Sequence, residues 1–585
     1  MTASDQTSTT RTATQESSIL SMLHGRAGLR PDGVAFTCTD FGRDPAGAVE
    51  QLTWAQLSRR TLNLAARLRD HGAPGDRAVI LAPQGLEYVL AFLGSLQAGL
   101  VAVPLPLPLP GAGTERVAAV LVDTGPAVVL TTSAAAADVA AAVADAPVDP
   151  VVLEVDRLDL DAEPGPLPAA PAAGNLAYLQ YSSGSTRTPA GVMLTHRNLT
   201  ANFDQLTREF FNETPLPPDA TLVSWLPFYH DMGLVLGVCA PILLGRRADL
   251  MSPLAFLERP ARWIRALAVN PHAWSSAPNF AFELAARRTT DDDLEGLDLS
   301  GVVGIISGAE RVDPKTVRRF VNRFEHVGFR AEMVRPAYGL AEATVFVAAG
   351  RWGETDPPGH FDAEELGAGR AVPCRPGRGV ALVRYRLPLE PLVRIVDGPT
   401  GRECPPDRVG EIWVHGENVS SGYWNKPAEQ QGGFTATITD PGPGTPAGPW
   451  LRTGDLGFVH DGGLYIVGRS KDVLIIRGRN YFPEDIEATV GEITGGRVAA
   501  VAAAADGTEQ LVVVAELKAS AGGDAERLRE LNTRVTAAVS QQHGLNVADL
   551  VLVASGSIPT TTSGKIRRAA CAEQYRTGAF TRLGA

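Results

Sequence analysis

Short apolar runs alternate with helix-like patterns along most of the chain. Runs rich in Ala, Val, Ile and Leu at 78–81, 127–130 and 302–306 read as buried strands, and the stretches 56–70 and 260–267 between them read as helices. That alternation predicts an α/β fold of layered elements with substantially parallel sheets. The most apolar stretch, 88–105, is interrupted by Gly94, Ser95, Gln97, Gly99 and Pro104, so it predicts a buried helix followed by a strand and not a membrane span. The proline-rich run at 104–110 then reads as an extended connector, its alternative being a ligand for a proline-recognising domain.

Near the C-terminus a helix at 484–493, a strand at 511–517, a helix at 525–543 and a closing strand at 549–553 predict a small α+β domain over 468–585. The preceding 18–467 form a large domain, expected to consist of several layered subdomains because 585 residues are too many for one ordinary core. Residues 1–17 are rich in Ser, Thr and Gln without an apolar core and read as a disordered tail, unlike a secretory signal.

Hydrophobic residues make up 44% of the chain, ample for such burial, and a formal net charge of −12 argues against a nucleic-acid surface. An enzyme with this balance would handle anions at a local basic site. Cys38, Cys239, Cys374, Cys404 and Cys571 are scattered and form no C-x-x-C pair. Neither a zinc site nor a disulfide framework is indicated, and a reducing, cytoplasmic compartment is expected.

The segment 179–196, LQYSSGSTRTPAGVMLTH, carries the first candidate chemistry. Ser182, Ser183, Gly184, Ser185 and Thr186 put four hydroxyls and a flexible backbone directly after an apolar strand. The glycine lets main-chain N–H groups approach phosphate oxygens without a Cβ in the way. No lysine stands where a Walker A loop requires one. An isolated Ser/Gly run is ordinarily a surface loop, but here further motifs follow in order: SWLPFYHDMGL at 224–234, YGLAEAT at 338–344, RTGDLG at 452–457, GRSKDVLIIRGRN at 468–480 and PTTTSGKIRR at 559–568.

This ordered set resembles the motifs of the adenylate-forming enzymes, the superfamily of acyl-CoA ligases, peptide-synthetase adenylation domains and luciferases, over roughly residues 20–580. Arg187 and Ala190 stand where that superfamily usually has glycine and lysine, and SGSTRTPAGV is similar to the form of fatty acyl-AMP ligases. The resemblance implies a large multi-subdomain N-terminal adenylate-forming domain and a small lid that turns about a hinge at 470–472, with Lys471 at the pivot. It also implies a reaction in which a carboxylic acid, with fatty acids foremost, attacks ATP to give acyl-adenylate and pyrophosphate with Mg²⁺ present.

Roles follow from that chemistry. Ser182 to Thr186 would hold the β- and γ-phosphates, and Glu342 supplies a hard oxygen for Mg²⁺. Lys565 follows Gly564 in a loop able to swing, and its ammonium would serve the carboxylate and the α-phosphate. Asp455 would accept the ribose hydroxyls, Arg469 would reach the ribose or α-phosphate, and Asp231 joins the nucleotide set. Tyr338, Gly339 and the turn of Gly308, Ala309 and Glu310 would surround adenine. His230 would orient the acyl carboxylate; a hydrolytic dyad with Asp231 is disfavoured, because adjacent side chains project differently and no nucleophile elbow accompanies them. Met232, Gly233, Leu234, Pro278, Asn279 and Phe280 would line the acyl tunnel.

The stretch 350–373 is longer than acyl-CoA ligases usually carry and looks like the insertion that distinguishes fatty acyl-AMP ligases. In that family it is held to restrict the lid movement that admits coenzyme A. It implies transfer to an acyl carrier protein, or to a polyketide or peptide synthase carrier domain; from the charge balance and the interrupted apolar stretch, no nucleic acid and no integral membrane segment is expected. VRYRLPLE at 383–390 lacks the glycine of the family's usual G-x-P turn and adds two arginines and a tyrosine, so Arg384, Tyr385 and Arg386 are expected to build a bulkier wall near the acyl or pantetheine path. An acyl-CoA ligase, or an adenylate-forming enzyme for a short, aromatic or otherwise unusual acid, stands as the alternative; intact Lys565, Glu342 and Asp455 disfavour a weak adenylate-binding scaffold.

Overall fold

The structure, a computed structural model, describes residues 18–108, 115–181, 190–211, 215–351, 353–426, 432–505, 508–517, 525–561 and 564–584. Two largely parallel sheets form its body. The larger runs in the order Ala348–Ala349, Val334–Tyr338, Gly304–Gly308, Trp274–Pro278, Thr221–Ser224, Arg247–Met251, Val34–Asp40 and Ala48–Thr53, antiparallel only at its two edge pairs. The second runs Val151–Glu154, Val128–Thr131, Arg77–Ile80, Val101–Pro104, Leu176–Tyr181 and Gly191–Thr195, antiparallel only at the last pair.

Alternation along the second sheet explains why its strands read as continuous apolar runs. Ala78, Ile80, Ala102, Val128, Leu130 and Tyr178 face the main core, while Val79, Val101, Val103, Val129 and Leu179 face a separate cluster. Both faces are covered, so no polar position is needed. The helix expected at 56–70 starts earlier, as Trp54–Arg69, because the Thr53 side chain accepts from Gln56 N–H and Gln56 answers in a capping box. The apolar stretch near 88–105 is a helix, Leu86–Ala98, and a strand, Val101–Pro104, both inside the core. Gly94 is what lets that helix close on its neighbour: a Cβ there would come 2.7 Å from the Leu64 side chain. Among the described residues no helix is long and apolar enough to cross a membrane.

A third sheet departs from the parallel expectation. It runs Tyr385–Arg386, Gly463–Arg469, Leu451–His460, Gly410–His415, Leu392–Asp397 and Arg402–Glu403, every pair antiparallel. Beyond the short turn Ser470–Asp472, a distinct core is built on the hairpin Leu474–Ile476 and Arg479–Tyr481, the sheet Val498–Ala505, Thr508–Leu517 and Val547–Ala554, and the helices Pro483–Thr494 and Ala525–His543. The strand Val498–Ala505 escapes the sequence pattern because alanine has low strand propensity; pairing with Thr508–Leu517 over its full length overrides that preference. The strand expected to close the domain is followed by another helix, Arg568–Arg576, whose Cys571 packs into the lid.

Candidate active site

The candidate groups stand where strands of both parallel sheets end, the usual place for ligands in open α/β sheets. Gly304–Gly308 delivers Gly308, Ala309 and Glu310, and Val334–Tyr338 delivers Tyr338 and Gly339. Thr221–Ser224 leads on to Tyr229, His230 and Asp231. Leu176–Tyr181 leads into Ser182, Ser183, Gly184, Ser185 and Thr186, which lie outside the described residues. Backbone crowding explains the glycines. A Cβ on Gly308 would come 2.9 Å from the Ala337 carbonyl oxygen of the neighbouring strand, and one on Gly339 would collide with the Val345 carbonyl.

A pocket opens between these strand ends. Leu206, Phe210, Leu236, Ile306, Val345 and Phe346 give it apolar lining, and Asp231, Gly308, Ala309, Tyr338 and Gly339 border it as well. Of the residues expected to line an acyl tunnel, Met232 lies on this wall. Gly233 instead sits against the Pro227 backbone, and Leu234 is wholly buried in the main core. Pro278 closes its strand, the Asn279 side chain accepts from Asp313 N–H at 3.0 Å, and Phe280 packs edge-on to Trp225. Leu206 and Phe210, four residues apart on the helix His196–Phe211, escaped the sequence reading because an apolar helix face gives the same signal whether it meets core or substrate.

The polar groups form a connected set. Tyr338 donates its hydroxyl to Asp455 Oδ2 at 2.7 Å, and Arg469 Nε lies 3.2 Å from Asp455 Oδ1. Burial raises the Asp455 carboxyl above the usual carboxylate range, with the Arg469 charge opposing. Burial likewise raises Glu310, whose Oε1 accepts from Phe280 N–H at 2.7 Å. Glu342 accepts from the Tyr423 hydroxyl at 2.7 Å, a partner 81 residues away that no local pattern in the sequence indicates. Asp231 Oδ1 accepts from Met232 N–H at 2.8 Å, and burial raises this carboxyl too.

Lys565 reaches this set from the C-terminal domain. The Thr561 N–H donates to the Lys565 carbonyl at 2.8 Å and the Arg567 N–H to the Pro559 carbonyl at 2.9 Å, so the segment is extended and folded back on itself. Burial lowers the Lys565 ammonium below the ordinary lysine value and the Arg469 charge adds to that, while Asp231, Glu310 and Asp455 pull the other way. The ammonium thus feels the charges of three carboxylates of the body. Arg311 to Asp485 at 2.7 Å and Lys315 to Glu492 at 2.8 Å join the two domains beside it.

His230 is pushed down to about 3, by burial first and then by the charges of Lys565 and Arg116. The imidazole is neutral at physiological pH. The pH profile of adenylate formation is accordingly expected to show no inflection near about 6.5, the ordinary imidazole value. Replacing His230 with Asn should lower the rate without changing the profile's shape, and a 6.5 inflection present in the unmodified enzyme but lost in the variant would contradict this.

The segment read as an insertion packs against both the body and the C-terminal domain. Its hairpin pairs Gly359–Phe361 with Val380–Leu382, so the structured unit extends beyond the 373 expected from sequence, and Asp362 caps the short helix Ala363–Gly367. Phe361, Leu366 and Leu382 share one apolar cluster with Phe458 and Tyr465 of the third sheet and Phe482 of the lid. Glu364 meets Arg479 at 2.5 Å, and Asn480 Nδ2 donates to the Gly367 carbonyl at 3.3 Å. The wall expected from residues 384–386 is not part of the described pocket. Tyr385 is buried with Tyr338 and Leu464 under the third sheet, Arg384 donates to the Asp461 carbonyl at 2.7 Å, and Arg386 is exposed, because strand pairing with Gly463–Arg469 fixes the alternation.

Residues 23–424 match the AMP-binding enzyme family, and residues 471–583 match the AMP domain of the Disco-interacting protein 2-like type. The chain is 56% identical over 576 residues to the putative fatty-acid–CoA ligase FadD21 of Mycobacterium leprae, covering 97% of this chain and 100% of that protein. It is 56% identical over 572 residues to the long-chain-fatty-acid–AMP ligase FadD23 of Mycobacterium tuberculosis, covering 97% and 98%. A fatty acyl-adenylate ligase structure from work on E. coli and L. pneumophila superposes with a TM-score of 0.83 at 31% identity, over 96% of this chain and 98% of that one. The chain belongs to the AMP-binding enzymes, as an AMP-forming ligase of the fatty acyl-AMP ligase branch.

Proposed function

We propose that the protein activates a fatty acid with ATP and passes the acyl group to the phosphopantetheine thiol of an acyl carrier protein or synthase carrier domain. One observation supports the first half: an apolar pocket is bordered by Asp231 and Tyr338, and the charge of Asp231 acts on Lys565 of the C-terminal domain. The acid's hydrocarbon would lie against Phe210 and Phe346, with its carboxylate beside neutral His230. A carboxylate oxygen attacks the α-phosphorus, the bond to the β-phosphate oxygen breaks, and pyrophosphate leaves. Lys565 would face the charge that develops on the α-phosphate oxygens. Asp455, which Tyr338 and Arg469 contact, would accept the ribose hydroxyls.

Mg²⁺ suits this donor set. Among the described residues no three His, Cys, Asp or Glu side chains form a metal cage, while Glu342 presents a single hard carboxylate held by Tyr423. That is the pattern of an ion shared between one carboxylate and substrate phosphates, where it would neutralise phosphate charge. Glu342→Gln should raise the Mg²⁺ concentration for half-maximal rate by about tenfold, partly recovered at high metal. Tyr423→Phe should shift it less in the same direction; a magnesium titration indifferent to Glu342→Gln would remove Glu342 from this role.

The brace between body and lid supports a carrier-bound thiol as acceptor over free coenzyme A, a point on which the names of the relatives divide. Scattered unpaired cysteines favour a cytoplasmic setting. Pyrophosphate release measured over acids from short to long, with and without coenzyme A, tests the whole reading. Release is expected with long-chain acids and without dependence on coenzyme A; release only with short or aromatic acids would reject the substrate assignment.

A further inference from the structure

We propose that Arg568 is a positioning residue for Lys565: it fastens the segment that carries the lysine to the helix Pro483–Thr494 and to the turn Ser470–Asp472, and so fixes where the ammonium stands. This rests on the role given to Lys565 above and adds a residue to it. One guanidinium holds three carboxylates. Its Nε and Nη2 donate to the two oxygens of Glu487 at 2.8 and 2.7 Å, while Nη1 donates to Asp472 Oδ2 at 2.7 Å and lies 2.9 Å from Glu484 Oε1. None of these four side chains is more than 23% exposed, so water screens the set little, and the forked bonds to Glu487 fix direction as well as distance.

Arg568 follows Lys565 closely in the chain and opens the helix Arg568–Arg576. Before it the segment is shaped by its own bonds: the Lys565 N–H donates to Thr561 Oγ1 at 3.1 Å and the Arg567 N–H to the Pro559 carbonyl at 2.9 Å. Those bonds set the segment's form but not its place on the domain. Ile566 adds a contact to the domain's apolar cluster, which has no direction of its own, so the guanidinium supplies the directional tie. The helix it grips is docked on the body. Asp485, next to Glu484, pairs with Arg311 at 2.7 Å, and Arg311 follows Glu310, one of the carboxylates whose charge acts on Lys565. The link from the turn Gly308 to Glu310 to the lysine thus runs through one helix and one arginine. Asp472 joins the turn between the domains to the same guanidinium, so a displacement of that turn is passed on to Lys565.

The test separates position from stability. Arg568→Lys keeps the positive charge but replaces the fork with a single ammonium, which cannot hold Glu487 and Asp472 in the same geometry. In full-length enzyme it should lower kcat for acyl-AMP formation by about tenfold or more, with KM for ATP and for the acid within about twofold and the unfolding temperature little changed. Asp472→Asn, which leaves the bonds to Glu487 in place, should lower kcat in the same direction by less. Because Arg568 acts through Lys565, Arg568→Lys should cost nothing further in a Lys565→Ala background, where the residual acyl-AMP is followed by mass spectrometry. An equal fold-loss in both backgrounds overturns the proposal by making the arginine structural. An unchanged kcat in Arg568→Lys overturns it as well. If Arg568→Lys does not fold, the same comparison with Asp472→Asn decides: a loss seen only where Lys565 is present supports the proposal, and an equal loss in both backgrounds, or none, overturns it. Adenylation at the unmodified rate by Lys565→Ala would overturn the lysine's role together with the proposal, whereas the other outcomes leave that role standing.

Discussion

Lys565→Ala is expected to lower kcat for acyl-adenylate formation by at least about 10²–10³-fold, the cost of removing one preorganised group aimed at developing transition-state charge. Lys565 belongs to the C-terminal domain, and the charges of Asp231, Glu310 and Asp455 of the body act on its ammonium. Its charge matters most when negative charge builds on the α-phosphate, so ATP binding, measured by calorimetry, should change far less than the rate. Adenylate formation near the unmodified rate would remove Lys565 from the catalytic role. The lowered ammonium gives a second readout with a definite sign. Rate should fall as pH rises because the protonated form is the active one, and the fall should begin below the ordinary lysine range. A guanidinium does not deprotonate there, so whatever activity Lys565→Arg retains should persist to higher pH.

Excising the 359–382 brace and joining its ends with a short Gly/Ser link should raise acyl-CoA formation by two orders of magnitude or more, about 3 kcal/mol of bias, while leaving adenylation within a few-fold. Magnitudes identify which contact matters. The Glu364–Arg479 pair is 77% and 64% exposed, so water screens it, and Glu364→Ala alone should leave acceptor choice nearly unchanged. Phe361, Leu366 and Phe482 are buried together, and large apolar side chains each contribute about 1.5–3 kcal/mol on burial. Their shared cluster is therefore the part able to hold the lid against the rotated pose. Chromatography of products from acyl-AMP and coenzyme A decides it: an excised protein that still adenylates but makes no acyl-CoA shows that acceptor choice lies elsewhere.

Several groups were legible early because their chemistry is local. His230 and Asp231 are neighbours in the chain, Gly308 to Glu310 form one turn, and Lys565 follows a glycine in a single motif. Their types and order determined the class of reaction and the α/β body. Continuous apolar runs such as 78–81 marked strands buried on both faces, since a strand covered on each side has no need of alternating polarity.

What only the tertiary structure decided are the pairings between distant positions. Tyr423 holds Glu342, Tyr338 donates to Asp455 across 117 residues, and Phe482 joins Phe361 and Leu366. Leu206 and Phe210 became pocket wall, while Leu234 went to the core and Tyr385 under the third sheet. An apolar side chain carries the same signal in sequence whether it meets a neighbour, a lid or a substrate. Which of these it meets depends on how strands pair and how the second domain docks, and those are set by contacts hundreds of residues apart.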